Sequence, residues 1–138
     1  MEIGAGSGLW SRLLSNAGIN IIATDLIQDN RSNYGNNYRW KGQFFDVQDK
    51  EAIESIKEFG GSSNVLMMVW PPYQSNMASN ALRSFSGNKI VFVGECEGGC
   101  TANDEFFEEL NAHWNLEEIV DIPRWYGIYD NLYLYKRK

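Results

Sequence analysis

The sequence predicts an α/β fold, a doubly wound and mostly parallel sheet covered by helices. Three observations predict it. Short apolar runs alternate with segments of helical period along most of the chain. A glycine-rich turn, "GAGSG" from Gly4 to Gly8, joins the first apolar run to the first helical segment. The chain then closes with two further apolar runs, "NLEEIVDIPRW" and "NLYLYKRK".

Each element has its own justification. "MEI" reads as a strand tail, and in the following "SGLWSRLLSNAG" Leu9, Trp10, Leu13, Leu14 and Ala17 share a helical face, with Gly18 as the stop. "INIIATD" reads as a second strand, buried on both faces by its composition. "LIQDNRSNYGNNYRWKGQ" is rich in Asn and Gly without a period and reads as a surface loop with at most a short helical turn. "FFDV" is a short third strand ending near Asp46, and "DKEAIESIKEFG" is a helix with Asp49 at its positive end. "NVLMMVW" is the fourth strand, "NMASNALRSFSG" a helix closed by Gly87, and "KIVFVGE" the fifth strand. "TANDEFFEELNAHW" sets Thr101 and Asp104 at capping-box offset and turns Phe106, Phe107 and Leu110 inward. The last run alternates Leu132 and Leu134 against Tyr133 and Tyr135.

The 138 residues fit one domain spanning 1–138, without internal repeats. The first strand is anomalous, because only Met1 to Ile3 precede the glycine turn and a central strand usually runs about five residues. Either the sequence truncates a longer protein or the sheet accepts a stub at its centre.

A formal charge of −6 works against affinity for duplex nucleic acid, which draws on Lys and Arg to neutralise phosphates. There is no signal-peptide pattern and no apolar run of membrane length, so a cytoplasmic or other intracellular location is expected and no membrane partner. Cys96 and Cys100 are the only cysteines and His113 the only histidine. A tetrahedral zinc would need further ligands, so no metal is expected, and the two thiols read as reduced.

Gly4, Gly6 and Gly8 lie between a strand end and a helix start, where glycine permits a sharp turn and close approach of a ligand to the helix's first amides. The rival reading is a tight turn with no ligand. Asp25 ends the second strand about twenty residues on, the offset at which a carboxylate accepts both hydroxyls of a ribose. Asp46 follows "FF", where a carboxylate can accept from an adenine amino group. Strand ends bearing Gly, Asp and Asp converge on the crevice where open parallel sheets bind ligands.

On these residues the chain resembles the class I S-adenosylmethionine-dependent methyltransferases, whose glycine motif is similar to "EIGAGSG" from Glu2 to Gly8. The resemblance spans nearly the whole element order and implies an antiparallel closing strand. It further implies S-adenosylmethionine as cofactor, held by Glu2 at its amino-acid end, by Gly4, Gly6 and Gly8 beneath it, and by Asp25 and Asp46. "WPPY", Trp70 to Tyr73, is similar to the Asp/Asn-Pro-Pro-Tyr signature of members that methylate amino groups. There the first side chain and the next carbonyl hold the amine while the aromatic ring packs on the substrate. Trp70, Pro71 and Tyr73 are accordingly the expected catalytic positions, although indole offers one donor and no acceptor. The rival is purely structural: Trp70 in the core, a rigid proline exit turn, and Tyr73 on the sheet edge.

On the same rim, Glu95 reads as a strand-end polar residue, with a general base as the rival reading if burial raises its pKa. Cys96 reads as a bland thiol and His113 as a packing or surface residue. Arg124, Trp125 and Tyr126 are candidates for a lid. The expected function is methyl transfer from S-adenosylmethionine to an unknown substrate. The alternative is an inactive methyltransferase-like module serving as a binding or partner subunit. A nicotinamide enzyme is weaker, because G-x-G-x-x-G would need glycine at Leu9.

Overall fold

The computed structural model describes residues 1–26, 43–61, 63 and 65–138. The loop expected from Leu26 to Gln43 lies largely outside the described residues. Among the described residues seven strands form one sheet: β1 (Glu2–Ile3), β2 (Ala23–Asp25), β3 (Val47–Asp49), β4 (Val65–Val69), β5 (Lys89–Gly94), β6 (Trp114–Val120) and β7 (Asn131–Arg137). Their order is β3-β2-β1-β4-β5-β7-β6. The first five are parallel and β7 is antiparallel to both neighbours. The helices are α1 (Leu9–Asn16), α2 (Ala52–Phe59), α3 (Met77–Ser84) and α4 (Asp104–His113).

The central β1 is two residues long, yet it is tied on both sides. Glu2 and Ile3 register with Ala23 and Thr24 of β2 and with Met67 and Met68 of β4. The Met1 nitrogen adds a bond to the Val65 carbonyl at 2.9 Å. From β1 the chain builds outward to β2 and β3 and then crosses back to β4 on the other side, and this switch of winding opens the crevice beyond the strand ends.

Strand alternation divides the molecule into two unequal layers. One sheet face carries Ile3, Leu66, Met68, Ile90, Phe92 and Tyr133, and α2, α3 and α4 bury it with Ile56, Leu82, Phe106 and Leu110. Phe92 stacks on Tyr133 at 5.6 Å and tilts against Phe106 at 5.1 Å, so the tyrosine face of the last strand is the core face. On the other face α1 lies against β1. There Trp10 and Leu14 line an apolar groove of about 650 Å³ with Val65, Met67, Val91 and Leu132.

Several expectations need correction. Leu9 and Leu13 are exposed, and the buried residue of α1 is Ser11, whose hydroxyl meets the Glu2 carboxylate. A buried acid on β1 thus selects a serine as the contact point. The second strand is only Ala23–Asp25, and Ile19 is exposed. Gly18, at φ 84°, does end α1 in a Schellman turn: Gly18 N–H donates to Ser15 and Ile19 N–H to Leu14. The cap of α2 is Glu51, which accepts from the Ile53 and Glu54 amides, while Asp49 belongs to β3. Asn103 caps α4, and Thr101 instead donates to the Glu95 carbonyl at 2.8 Å. Among the described residues no helix is long and apolar enough to cross a membrane.

Candidate functional site

The site begins at the turn after β1. Gly4, Gly6 and Gly8 all have positive φ, at 64°, 55° and 75°. At Gly8 the requirement is twofold, since an added Cβ would stand 2.7 Å from Phe45 Cβ and 2.9 Å from Val47 Cγ2. Only glycine lets α1 start this close to the neighbouring segment.

Asp25, at the end of β2, turns toward this loop. Its Oδ2 accepts the Gly6 N–H at 2.6 Å, and Ala5 N–H donates to the Thr24 carbonyl at 3.1 Å. Cradle and carboxylate therefore form one notch, because adjacent parallel strands deliver them side by side.

Glu2 lies beneath the notch, 1% exposed, accepting from the Ser11 hydroxyl and backbone at the start of α1. Burial pushes its carboxyl above the usual glutamate range, against the lowering effect of the Ser11 bonds. A cavity of about 570 Å³ opens above it, within the range typical of small-molecule sites. Glu2, Gly4, Gly6, Asp25 and Trp70 all line it.

Lys50, Glu51 and Met77 are among the lining residues that the sequence reading missed. Their signal was positional: Lys50 and Glu51 directly follow the third strand's true end. Asp46 does not line the cavity. It precedes β3 instead of ending it, because the strand starts at Val47 and pairs Asp49 with Asp25. Gly8 shapes the turn from behind and is likewise absent from the lining.

Trp70 closes the other side of the cavity. It leaves β4 with φ 49°, held by its backbone N–H on the Val93 carbonyl and by its indole N–H on Asp130 Oδ2, each at 2.8 Å. Pro71 is buried, and its carbonyl already accepts the Ala102 N–H at 3.0 Å. Gln74 N–H donates to the Ala102 carbonyl at 2.8 Å. Trp70, Gln74 and Ala102 are the only non-glycine residues with positive φ among those described, and all three belong to this rim. Tyr73 is exposed and outside the cavity lining.

Glu95 is buried at the end of β5. It accepts the Cys100 N–H at 2.8 Å and the Tyr129 N–H at 3.0 Å. The Tyr129 and Cys100 amides hold its carboxyl below the usual range, so it tethers two loops and lacks the raised pKa on which the general-base reading depended. Cys96 and Cys100 are free and exposed. His113 stands 3.7 Å from Glu109 on the surface. Arg124 pairs with Asp121 at 4.0 Å, while Trp125 and Tyr126 project into solvent and do not line the cavity. Among the described residues no cluster of metal-ligating side chains forms.

No protein-family model matches the chain, and no curated protein matches it. A solved structure does: the crystal structure of magnesium protoporphyrin IX methyltransferase (ChlM) from Synechocystis PCC 6803 with bound SAM. It superposes with a TM-score of 0.59 at 12% identity, covering 99% of this chain and 68% of that chain. Strand order, the antiparallel β7 and this likeness together establish the class I methyltransferase fold.

Proposed function

We propose that the chain is a methyltransferase that binds S-adenosylmethionine in the notch between the Gly4–Gly8 turn and Asp25. The observation that carries this reading is the bond from Gly6 N–H to Asp25 Oδ2, which joins cradle and carboxylate into one ligand-sized recess. The likeness to a methyltransferase solved with bound SAM supports it. The residues fit the group. Asp25 has lone pairs left to accept ribose hydroxyls, the turn brings bare backbone to the surface, and Leu26, Ala52, Val69 and Met77 supply apolar walls. When bound, the cofactor supplies an electrophilic methyl group on a sulfonium.

The chain's own residues have a modest chemical task. They exclude water, hold the acceptor in line, and surround positive charge with the Trp70 ring, whose face attracts cations. Glu2 orders the start of α1 through Ser11 and supports the notch from below. The methylated acceptor gives up its proton to bulk water on leaving the site, as no described side chain is assigned as a base. The exposed free thiols accord with an intracellular setting.

A second reading, a non-catalytic binding module, draws on one observation: the Trp70 indole is committed to Asp130. Titration calorimetry with S-adenosylhomocysteine tests the first reading. Binding by the wild type, weakened at least tenfold in Asp25→Ala, is expected. A folded protein that binds nothing, or binds unchanged after that substitution, contradicts it. Transfer of a labelled methyl group to any acceptor excludes the second reading.

A further inference from the structure

The sheet face that α1 only partly covers has no role in the methyl-transfer reading. Its groove of about 650 Å³ has Trp10, Leu14 and Ile19 as one wall and Val65, Val91 and Leu132 along its floor. Strand alternation extends the same apolar face to Leu134 and Val120, which β7 and β6 set beside Val91 and Leu132. Ile19 and Val120 are exposed, and Val91, Leu132 and Leu134 are half-buried. A contiguous apolar patch left open to water marks a binding surface.

Charge at one end of the groove says what it holds. Lys89 opens β5 on the same face as Val91, in register with Val65 on one side and with Lys136 of β7 on the other. Two ammonium groups directly opposite each other on one face repel. Among the described residues neither side chain has a hydrogen-bond or ion-pair partner, and Glu118, which β6 places on this face, stands opposite Leu134, one row further along. The polar residues of the lining, Asn20 and Ser63, precede β2 and β4 at this same end. The groove is therefore apolar along its length and cationic where the parallel strands begin. A second copy of the chain fits it poorly, because each copy carries a net charge of −6 and would approach against like charge.

We propose that this groove binds a free long-chain carboxylate, with the alkyl chain laid between α1 and the β4–β5–β7 floor and the head group between Lys89 and Lys136. The volume is that of a small-molecule site. Each methylene that leaves water on binding adds about fourfold to affinity. The carboxylate offsets the repulsion between the two lysines, which selects an anionic head group over a cationic one. The site is distinct from the cofactor notch, which lies beyond the opposite ends of the parallel strands. Trp10 is the wall that the two cavities share.

The test is an NMR titration of the labelled 138-residue chain with dodecanoate, octanoate and dodecylammonium, each below its micelle concentration. Dodecanoate is expected to give saturable shifts at Ile19, Val91, Leu132 and the Trp10 indole. It should bind at least tenfold tighter than octanoate, because four more methylenes leave water. It should bind about fivefold tighter than dodecylammonium, the scale of exposed ion pairs. The double substitution Lys89→Gln, Lys136→Gln should abolish the head-group preference and keep the chain-length ratio, with a thermal melt to establish that it folds. Should it fail to fold, the two wild-type ratios and the map of shifted residues decide the matter. The site is overturned by absence of saturable binding, by equal binding of acid and ammonium, or by a preference that survives the double substitution. Shifts at Gly6 and Asp25 in place of the groove, or a dimer in sedimentation velocity that covers Val91 and Leu132, also overturn it. None of these readouts involves the cofactor, so failure of the methyltransferase reading and failure of this site are distinct results.

Discussion

The two halves of the crevice are made of different material. On the β2–β1 side the recess is built from backbone: three positive-φ glycines, a helix start, and one carboxylate bonded to a loop amide. On the β4–β5–β7 side it is built from side chains and strained residues. Trp70 is pinned to Asp130, sixty positions away, and Glu95 binds amides on two loops. A backbone recess recognises what is common to many ligands, whereas a side-chain wall can be rebuilt for each one. On the proposed function, cofactor recognition falls to the first side and substrate choice to the second.

The largest expected effect compares one glycine from each half. Gly8→Ala adds about 1–2 kcal/mol of left-handed strain and about 1–3 kcal/mol of overpacking against Phe45 and Val47. Gly98→Ala, at φ 88° with nothing within 4 Å, carries the strain alone, about 1–2 kcal/mol. Urea unfolding should show a clearly larger loss for Gly8→Ala, and equal losses would break the contrast.

Next comes the pinned tryptophan. Trp70→Phe keeps a ring but leaves buried Asp130 without its indole donor, at about 1–3 kcal/mol. Tyr73→Phe, on an exposed ring, should stay within about 0.5 kcal/mol. Comparable melting temperatures for the two variants would mean that the Trp70–Asp130 bond does not hold the wall.

The two buried glutamates sharpen the comparison through pH. Burial raises the Glu2 pKa, so the folded state holds that proton more tightly than the unfolded chain. Its contribution is therefore full below the ordinary value of 4.5 and is lost as pH rises through the raised folded value. The Glu95 pKa is lowered by the Tyr129 and Cys100 amides, so its contribution is full above 4.5 and is lost as pH falls through the lowered folded value. Glu2→Gln should flatten stability above pH 4.5, and Glu95→Gln should flatten it below. Denaturation series across pH check both signs, and identical profiles for the two variants would refute the assignment.

The first half was the legible one. Glycines at 4, 6 and 8 and an acid at 25 are local signals, because strand, turn and helix follow one another in the chain. The parallel order was readable from alternation, and Phe106, Phe107 and Leu110 pack inward as their spacing predicts. Where local signals misled, a distant contact had prevailed. Asp46 resembles a strand-end acid, but pairing with β2 moves the third strand to Val47–Asp49. Leu9 and Leu13 mark a helical face, yet Glu2 draws Ser11 inward. Nothing near Trp70 in sequence announces Asp130, nor does anything near Glu95 announce Tyr129, so the second half became readable only in three dimensions.

The central claim is that the Gly4–Gly8 turn and Asp25 act as one ligand-binding unit. A backbone-amide NMR titration of the labelled chain with S-adenosylhomocysteine tests it most directly. The predicted result is saturable shifts at Gly4, Gly6, Asp25 and Leu26, with Gly98 and Tyr126 unmoved. Unchanged resonances at Gly6 and Asp25, or shifts confined to the 94–102 and 121–130 loops, would contradict it.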